Sequence, residues 1–323
     1  MSITFSVTIF AVIKLFLISL GGFILVKAKV FKQESISDLS RLILYLPLPA
    51  LVFLTMLDRF SLKLLCDCIS MPLAAMIMTA LAAALALAGA RLMSVPKENR
   101  TLFYAMIMFG NSWYLPIPLV MSILPEPMAK DAIMLISLVI LVISPVMWTL
   151  GVFLIAHKPG LRIPFKSLIT PPVIGIVLGG IFSLIPPIKQ FFFTDGRFIY
   201  DSIKLLADST APLVMILLGA VMGALEIKKS MKWSFIIPLA IIKLFILPAI
   251  VIPITYFLPI PNMVKFMIAL QAMVPPATNL IVIIKIYNRP ADLISISMLV
   301  TYLIALITIP LFLYITTSFI PII

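Results

Sequence analysis

Two apolar segments of the sequence contain clusters of polar residues and prolines that are suited to binding a ligand. The first runs from Phe109 to Pro118 (FGNSWYLPIP) and the second from Gln271 to Asn279 (QAMVPPATN). A proline inside a helix removes one backbone N–H donor and frees the carbonyl four residues earlier. Where a helix restarts after such a break, its free N–H groups and positive dipole end attract an anion. The two segments therefore predict an anion-binding site built from broken helices.

The polar side chains of both segments are candidate substrate ligands. Asn111 and Asn279 can donate amide N–H groups to a carboxylate while their oxygens hold backbone groups that the break frees. The alternative is that both side chains serve only the backbone of the break. The other candidates supply polar groups or the geometry of the breaks: Ser112, Pro116, Gln271, Pro275, Pro276 and Thr278. We expect the prolines to shape the site rather than to contact the substrate.

Three charged residues lie inside apolar stretches, where a charge costs at least about 2.5 to 3.5 kcal/mol at the centre of a membrane helix. Lys243 is a candidate for attracting an anionic substrate; the alternatives are an ion pair with Asp208 or extension of the side chain to the inner interface. Asp208 is a candidate to bind and release a proton, and alternatively caps the polar stretch ahead of Pro212. Lys14 is a second coupling candidate, for which we favour a structural role.

The sequence offers no catalytic or metal-binding constellation. His157 is the sole histidine, and neither a phosphate-binding loop nor a nucleophile with a matching base is present. Cys66 and Cys68 are too few for a disulfide framework, and their spacing alone does not make a zinc site. We therefore expect no enzymatic activity, cofactor or metal. A membrane enzyme is the distant alternative, and a channel or sensor is a nearer one.

Membrane-spanning helices must position these residues, because 63% of the 323 residues are hydrophobic and 11% are charged, with a mean hydropathy of +1.24. In soluble proteins about a quarter of all residues are charged. The apolar runs predict ten spans, at about 5–26, 37–57, 69–92, 101–124, 129–156, 168–188, 200–225, 233–258, 262–286 and 291–320. The first run is too long for a signal peptide and lacks a basic start, so we expect a retained span.

The distribution of Lys and Arg predicts the orientation. With the N-terminus outside, the inner loops and span ends carry fifteen basic residues and the outer ones seven. We therefore expect a multi-pass protein of the cytoplasmic membrane with both termini outside. The net charge of +12 is mainly this topology signal. Nucleic-acid binding would need a soluble basic face, whereas contact with membrane lipids follows directly.

An internal repeat divides the chain. Acid, base, leucine and proline at Asp38, Arg41, Leu42 and Pro49 recur with the same spacing at Asp201, Lys204, Leu205 and Pro212, and Leu20-Gly21-Gly22 recurs as Leu178-Gly179-Gly180. Five spans per half is an odd number, so the second half enters the membrane from the opposite side. We predict an all-α integral membrane protein with two inverted five-helix repeats, residues 1–157 and 158–323, whose broken fourth and ninth helices cross at mid-membrane.

The chain resembles the auxin efflux carrier family. Residues 111–118 (NSWYLPIP) resemble the Gly-Asn-x-x-x-Leu-x-x-Pro type of signature in the family's fourth span, and 275–279 (PPATN) resemble the proline break of its ninth. Residues 47–50 (PLPA) and 171–175 (PPVIG) are also similar to the family's pattern. The resemblance covers essentially all ten spans. It implies the fold of plant PIN-FORMED carriers and bile-acid sodium symporters, with spans 1, 2, 6 and 7 as a scaffold and spans 3–5 and 8–10 as a moving transport domain.

The resemblance also implies a secondary transporter for a small organic anion, working by elevator-type alternating access and assembled as a homodimer through the scaffold. Bacterial members are associated with malate and malonate, and plant members with the indole carboxylate auxin. Only about a dozen residues, 157–167, separate the two halves, which is typical of a bacterial member. A sodium-coupled bile-acid-type symporter and a sodium/proton antiporter are alternatives on the same fold. Coupling to a proton, to sodium or to no ion stays open.

Overall fold

The computed structural model describes residues 5–156, 169–224, 232–287 and 290–322, which are helical almost throughout. The helices are α1 Phe5–Lys27, α2 Gln33–Arg59, α3 Leu62–Leu92, α4 Arg100–Met108, α5 Pro116–Ile123, α6 Glu126–Ala156, α7 Pro171–Ser183, α8 Pro186–Phe193, α9 Arg197–Gly223, α10 Trp233–Phe257, α11 Asn262–Met273, α12 Asn279–Ile286 and α13 Asp292–Phe319. No β-strand occurs within these ranges, and the one isolated bridge lies at the site described below.

Seven of these helices are long and apolar enough to cross a membrane: α1, α2, α3, α6, α9, α10 and α13. The pair α7 and α8 adds an eighth crossing if the two helices, which meet at 102°, form one span. The prediction of an all-α integral membrane protein is confirmed. The count of ten spans and the inverted repeat stay predictions, because the fourth and ninth predicted spans are each built from two short helices.

The predicted sixth span, 168–188, is wrong at its end. Helix α7 stops at Ser183, and Pro186 begins α8 in a new direction, because Pro186 lacks the N–H that a continuing helix would use and is favoured in the first turn of a new one. The predicted boundary between the halves, at residues 157 and 158, lies outside the described residues. So do several basic residues of the orientation argument: Lys158, Arg162, Lys166, Lys228, Lys229 and Arg289.

Helices α2 and α9 are interrupted at equivalent places. The backbone leaves the regular helix at Leu46, eight residues after Asp38, and the helix breaks again at Ser209, eight residues after Asp201. Helices α6 and α10 each contain a π-helical turn, at Met147–Gly151 and Ile242–Ile246. Such turns commonly lie at functional sites.

Small residues allow close packing of two helix pairs. Helix α1 packs along α9, and α2 packs along α7. A Cβ atom added at Gly22 would collide with the carbonyl oxygen of Ile216, and one added at Gly179 would collide with the carbonyl oxygen of Phe53. Glycine at these positions therefore permits backbone-to-backbone contact, which is a common basis of helix association in membranes.

Helix α11 lies at the centre of the molecule. It contacts α3, α6, α10 and α13, and every residue from Phe266 to Met273 is buried. Large hydrophobic side chains such as Phe10, Ile77, Phe257 and Ile307 are exposed on the outer faces of the bundle, as expected where lipid replaces water. The centre around α11 is where both helix breaks are found.

Candidate functional site

Both proline-containing segments interrupt helices. Helix α4 ends at Met108 and α5 begins at Pro116, while α11 ends at Met273 and α12 begins at Asn279. In each gap the backbone is extended at the first residue, Phe109 or Val274. The N–H and carbonyl groups of these gaps need partners other than their own helices, because no water is present in the membrane core to satisfy them.

The two breaks satisfy each other. The N–H of Asn111 donates to the carbonyl oxygen of Pro275 at 2.8 Å, and the N–H of Ala277 donates to that of Phe109 at 2.9 Å. Gly110 and Pro276 thereby form an isolated antiparallel bridge. The non-helical backbone of the two halves of the chain is joined into one short ribbon in the buried centre.

The side chain of Asn111 reinforces this ribbon. It is 3% exposed, its Oδ1 accepts from the N–H of Tyr114 at 3.0 Å, and its Nδ2 donates to the hydroxyl of Tyr302 at 2.6 Å. The Tyr302 hydroxyl in turn donates to the carbonyl oxygen of Pro276 at 3.2 Å. As predicted, the Asn111 oxygen holds a freed backbone N–H. Its amide is turned toward Tyr302, which the sequence did not single out, and ligand contact by Asn111 stays a prediction.

A cavity of about 690 Å³ borders the ribbon, a volume within the range of small-molecule sites, about 300 to 1,000 Å³. Its polar and aromatic lining comes from both breaks, from α2, α6 and α13, and from the residue before α7: Gln33, Ser37, Ser40, Arg41, Trp113, Tyr114, Ser144, Trp148, Thr170, Thr278, Asn279, Asp292 and Ser295. Of the predicted ligands, Thr278 and Asn279 face this cavity, whereas Asn111 lies behind its wall. Trp148 belongs to the π-helical turn of α6.

Arg41 is the basic residue of this lining. It lies on α2 one turn after Ser37, its side chain is exposed, and it makes no ion pair with any described residue. Asp292 at the start of α13 is the acidic residue that lines the same cavity. The indole rings of Trp113 and Trp148 supply apolar area beside these charges. The arrangement can hold a carboxylate together with an apolar or aromatic body.

Lys243 lies at the first break and outside this cavity. It is 2% exposed and donates from Nζ to the carbonyl oxygen of Ile107 at 3.0 Å. In an unbroken helix that carbonyl would accept from the N–H of Asn111, which instead pairs with Pro275. Lys243 therefore occupies the freed acceptor at the carbonyl end of α4.

A narrow space of about 10 Å³ adjoins Lys243, lined also by Thr79, Ser112 and Gln271. The Nε2 of Gln271 donates to the carbonyl oxygen of Ser112 at 3.3 Å, and its buried Oε1 has no partner among the described residues. The space is about the size of one water molecule. It brings together three predicted site residues, Ser112, Gln271 and Lys243, away from the larger cavity.

The predicted alternatives for Lys243, a pair with Asp208 or extension to the interface, are wrong. Asp208 instead accepts from Lys204 at 2.7 Å on the surface of α9, where the two residues are four apart and share one face. Lys243 is buried against α4. Lys14 is exposed on α1. The two coupling candidates, Asp208 and Lys14, thus line neither of the spaces beside the breaks.

Ion pairs join α2 and α6 at the opposite end of α2. The Oδ2 of Asp58 accepts from Lys130 Nζ and from the Tyr200 hydroxyl, both at 2.9 Å. Beside it, Arg59 pairs with Asp131 at 3.3 Å. These contacts join the last turn of α2 to the first turns of α6 and α9, whereas the other end of α2 lines the cavity. From the sequence, Arg59 and Lys130 were interpreted only as topology signals.

The described residues contain no group of three or more His, Cys, Asp or Glu side chains that could hold a metal ion. Cys66 and Cys68 are free thiols, Cys66 exposed and Cys68 buried. Pro116 begins α5, and Pro275 and Pro276 present the carbonyl oxygens of the ribbon. The prolines therefore shape the breaks, as their type predicts.

Comparison with known proteins gives the family. Residues 7–162 and 160–313 match the family model described as membrane transport protein. Protein PIN-LIKES 5 of Arabidopsis thaliana is 28% identical over 151 residues, which is 44% of this chain and 38% of that protein, so the match spans well under half of the plant relative. An uncharacterized transporter of Methanocaldococcus jannaschii is 22% identical over 292 residues, 87% of this chain and 90% of its own. Another uncharacterized transporter, of Methanothermobacter thermautotrophicus, is 24% identical over 302 residues, which is 93% of this chain and 95% of that protein. The chain belongs to the membrane transport protein family, the family of the auxin efflux carriers.

Proposed function

We propose that this protein is a secondary transporter that carries a small organic anion across the cytoplasmic membrane by elevator-type alternating access. The observation that carries the proposal is the cavity of about 690 Å³ beside the paired helix breaks, into which Arg41 brings a positive charge. The same helices are closed by ion pairs at their other end. A site that is open at one end and closed at the other is what alternating access requires.

The lining supports a monocarboxylate with an apolar or aromatic body. Arg41 offers a planar cation that can bind a carboxylate with two hydrogen bonds. Thr278 and Asn279 lie at the start of α12, where the positive end of the helix dipole favours negative charge. Trp113 and Trp148 supply aromatic surface. Among malate, malonate and an auxin-like acid, the aromatic lining favours the auxin-like acid, and Asp292 disfavours a second carboxylate.

The position of the cavity supports an inward-open state. The cavity lies at the end of α2 that begins at Gln33, which the excess of basic residues assigns to the cytoplasmic side. The pairs of Asp58 with Lys130 and of Arg59 with Asp131 lie at the outer end and connect α2, in the proposed scaffold, to α6, in the proposed transport domain. Movement of one bundle against the other requires these pairs to separate.

Internal symmetry supports two inverted repeats. In the proposed repeat α1 corresponds to α7, and α2 corresponds to α9. The packing of α1 on α9 is therefore the symmetry equivalent of the packing of α7 on α2. The interruptions at Leu46 and Ser209 fall at equivalent places. The contact between the breaks, one from each half, obeys the same exchange. A homodimer through the scaffold is a finer part of the proposal that rests on the family resemblance. The placement of both termini outside rests on the distribution of Lys and Arg, and coupling to a proton, to sodium or to no ion stays open.

Binding of anions to purified protein tests the proposed site. In a thermal-shift screen, ligand binding raises the melting temperature by mass action. We expect indole-3-acetate to stabilise the wild-type protein more than malate or malonate at equal concentration, and we expect its effect to disappear in Arg41→Gln. Lys204→Gln, which removes a cation from α9 away from the cavity, is the matched control. Stabilisation by indole-3-acetate that is unchanged in Arg41→Gln would contradict the assignment.

A further inference from the structure

A second cavity, of about 460 Å³, lies at the membrane-facing surface between α1, α9 and α13. Its lining is almost wholly apolar, and no acidic side chain contributes to it. Leu119, Met215 and Ile309 form a buried floor, while Phe16, Leu20 and Leu303 are exposed at its rim. The cavity is therefore a crevice that opens toward the lipid.

The crevice is elongated along α1. Its lining residues on that helix run from Val12 to Lys27, which at 1.5 Å per residue corresponds to about 22 Å. The hydrocarbon core of a bilayer is about 30 Å thick, so one leaflet contributes about half of that. The crevice thus extends from the level of a headgroup past the middle of the membrane, along the direction of a lipid acyl chain.

Positive charge marks one end. Lys27 is the last residue of α1, its Nζ lies 5.3 Å from the centroid of the Phe23 ring, and it makes no ion pair with any described residue. Lys29 and Lys32 follow in the link to α2. Basic residues next to a span attract anionic lipid headgroups.

The interior of the crevice offers no free polar group for a hydrated ligand. The Ser19 hydroxyl donates to the carbonyl oxygen of Leu15 at 3.0 Å, within its own helix. The Tyr302 hydroxyl is engaged by Asn111 and by the Pro276 carbonyl. A polar ligand would lose its hydration there without replacement, whereas a hydrocarbon chain loses nothing.

We propose that this crevice binds one acyl chain of an anionic membrane phospholipid, with the headgroup phosphate at Lys27 and the chain against Leu119 and Tyr302. The binding is independent of which solute the protein transports. Because Tyr302 also holds the two helix breaks together, the bound chain packs against the back of the paired breaks. The occupant is thus placed between α1 and α9 on one side and α5 and α13 on the other.

Native mass spectrometry of the purified, delipidated protein tests this. We expect titration with phosphatidylglycerol to give one bound lipid with an affinity about fivefold higher than phosphatidylcholine of the same chains, since one lysine near the surface contributes about 1 kcal/mol. Lys27→Gln should remove the preference, whereas Lys14→Gln, on the same helix and outside the crevice, should keep it. Equal affinities for the two lipids in the wild type would overturn the proposed headgroup contact.

A second variant tests the chain contact. Ala305 is buried in the crevice wall, and Ala305→Phe fills the space. We expect it to abolish the bound lipid of either headgroup, whereas Ala84→Phe on the exposed face of α3 should not. Unchanged retention in Ala305→Phe would overturn the proposal. A second result would also overturn it: a wild-type dimer that holds no lipid and that Ala305→Phe dissociates into monomers. In that case a second copy of the chain, and not a lipid, covers the crevice.

Discussion

The ammonium group of Lys243 donates to the carbonyl oxygen of Ile107 at 3.0 Å, the acceptor that the N–H of Asn111 would use if α4 continued. The break in the first half of the chain is thus stabilised by a hydrogen bond from a side chain of the second half. This relationship gives a buried lysine a structural role at the paired helix breaks.

Lys243→Met should destabilise the protein, because it leaves the Ile107 carbonyl buried without a partner, at a cost of about 1 to 3 kcal/mol. Lys243→Gln should cost less, since an amide can still donate a hydrogen bond. The melting temperature in detergent measures both. Lys14→Met, on an exposed face, is the control and should change little. Adding Asp208→Asn should not rescue either variant, because Asp208 pairs with Lys204. Rescue would restore the rejected pairing of Lys243 with Asp208.

Asn111 and Tyr302 should act as one unit. We expect Asn111→Ala and Tyr302→Phe each to lower stability by roughly 1 to 2 kcal/mol. The double variant should lose less than the sum by at least about 0.5 kcal/mol, because both changes remove the same hydrogen bond. Denaturation of all four proteins under one condition gives the coupling. Strictly additive losses would show that the 2.6 Å contact carries no energy.

Arg41→Gln should weaken binding of an aromatic monocarboxylate about ten- to a hundredfold, the value of one hydrogen bond to a charged group. Arg41→Lys should keep part of the affinity, because the charge remains while the planar pair of donors is lost. Calorimetry in detergent is the measurement. Equal affinities of the wild type, Arg41→Gln and Arg41→Lys would show that the anion does not bind at Arg41 on α2.

Asp58→Asn should open the closed end of the molecule. It removes the charge that pairs with Lys130, so the state in which the cavity faces its present side should become less populated. Ser37, exposed at the cavity, reports on this state when replaced by cysteine in a Cys66→Ser, Cys68→Ser background. We expect slower maleimide labelling of this cysteine in Asp58→Asn. Lys204→Gln breaks a different surface ion pair and should leave the rate unchanged. Equal labelling rates with and without Asp58→Asn would show that these ion pairs do not control access to the cavity.

The breaks were predictable because proline acts locally. Pro116, Pro275 and Pro276 lack the N–H that a continuing helix uses, and they stand among polar residues, unlike Pro310, which lies inside the continuous helix α13. The hydrogen bonds between the breaks were not, since they join residues that are far apart in the chain. Tyr302 carried no signal either, as a single tyrosine in an apolar helix is usual.

The charged residues show why position along the chain is a weaker guide than packing. Arg41 was interpreted as a topology marker, and only the fold places it on a cavity. The four-residue spacing of Lys204 and Asp208 is typical of an ion pair on one helix face, but our interpretation of the sequence did not include this pair. Treating Asp208 as a residue of the membrane interior favoured Lys243 as its partner instead, although the two side chains belong to different surroundings.

Counterflow in proteoliposomes tests the central claim most directly. Vesicles loaded with unlabelled indole-3-acetate and diluted into labelled indole-3-acetate should show transient, saturable accumulation with wild-type protein. Arg41→Gln should abolish it, and Lys204→Gln should retain it. Absence of counterflow by a folded wild-type protein, with large unitary currents in planar bilayers, would contradict alternating access and indicate a channel.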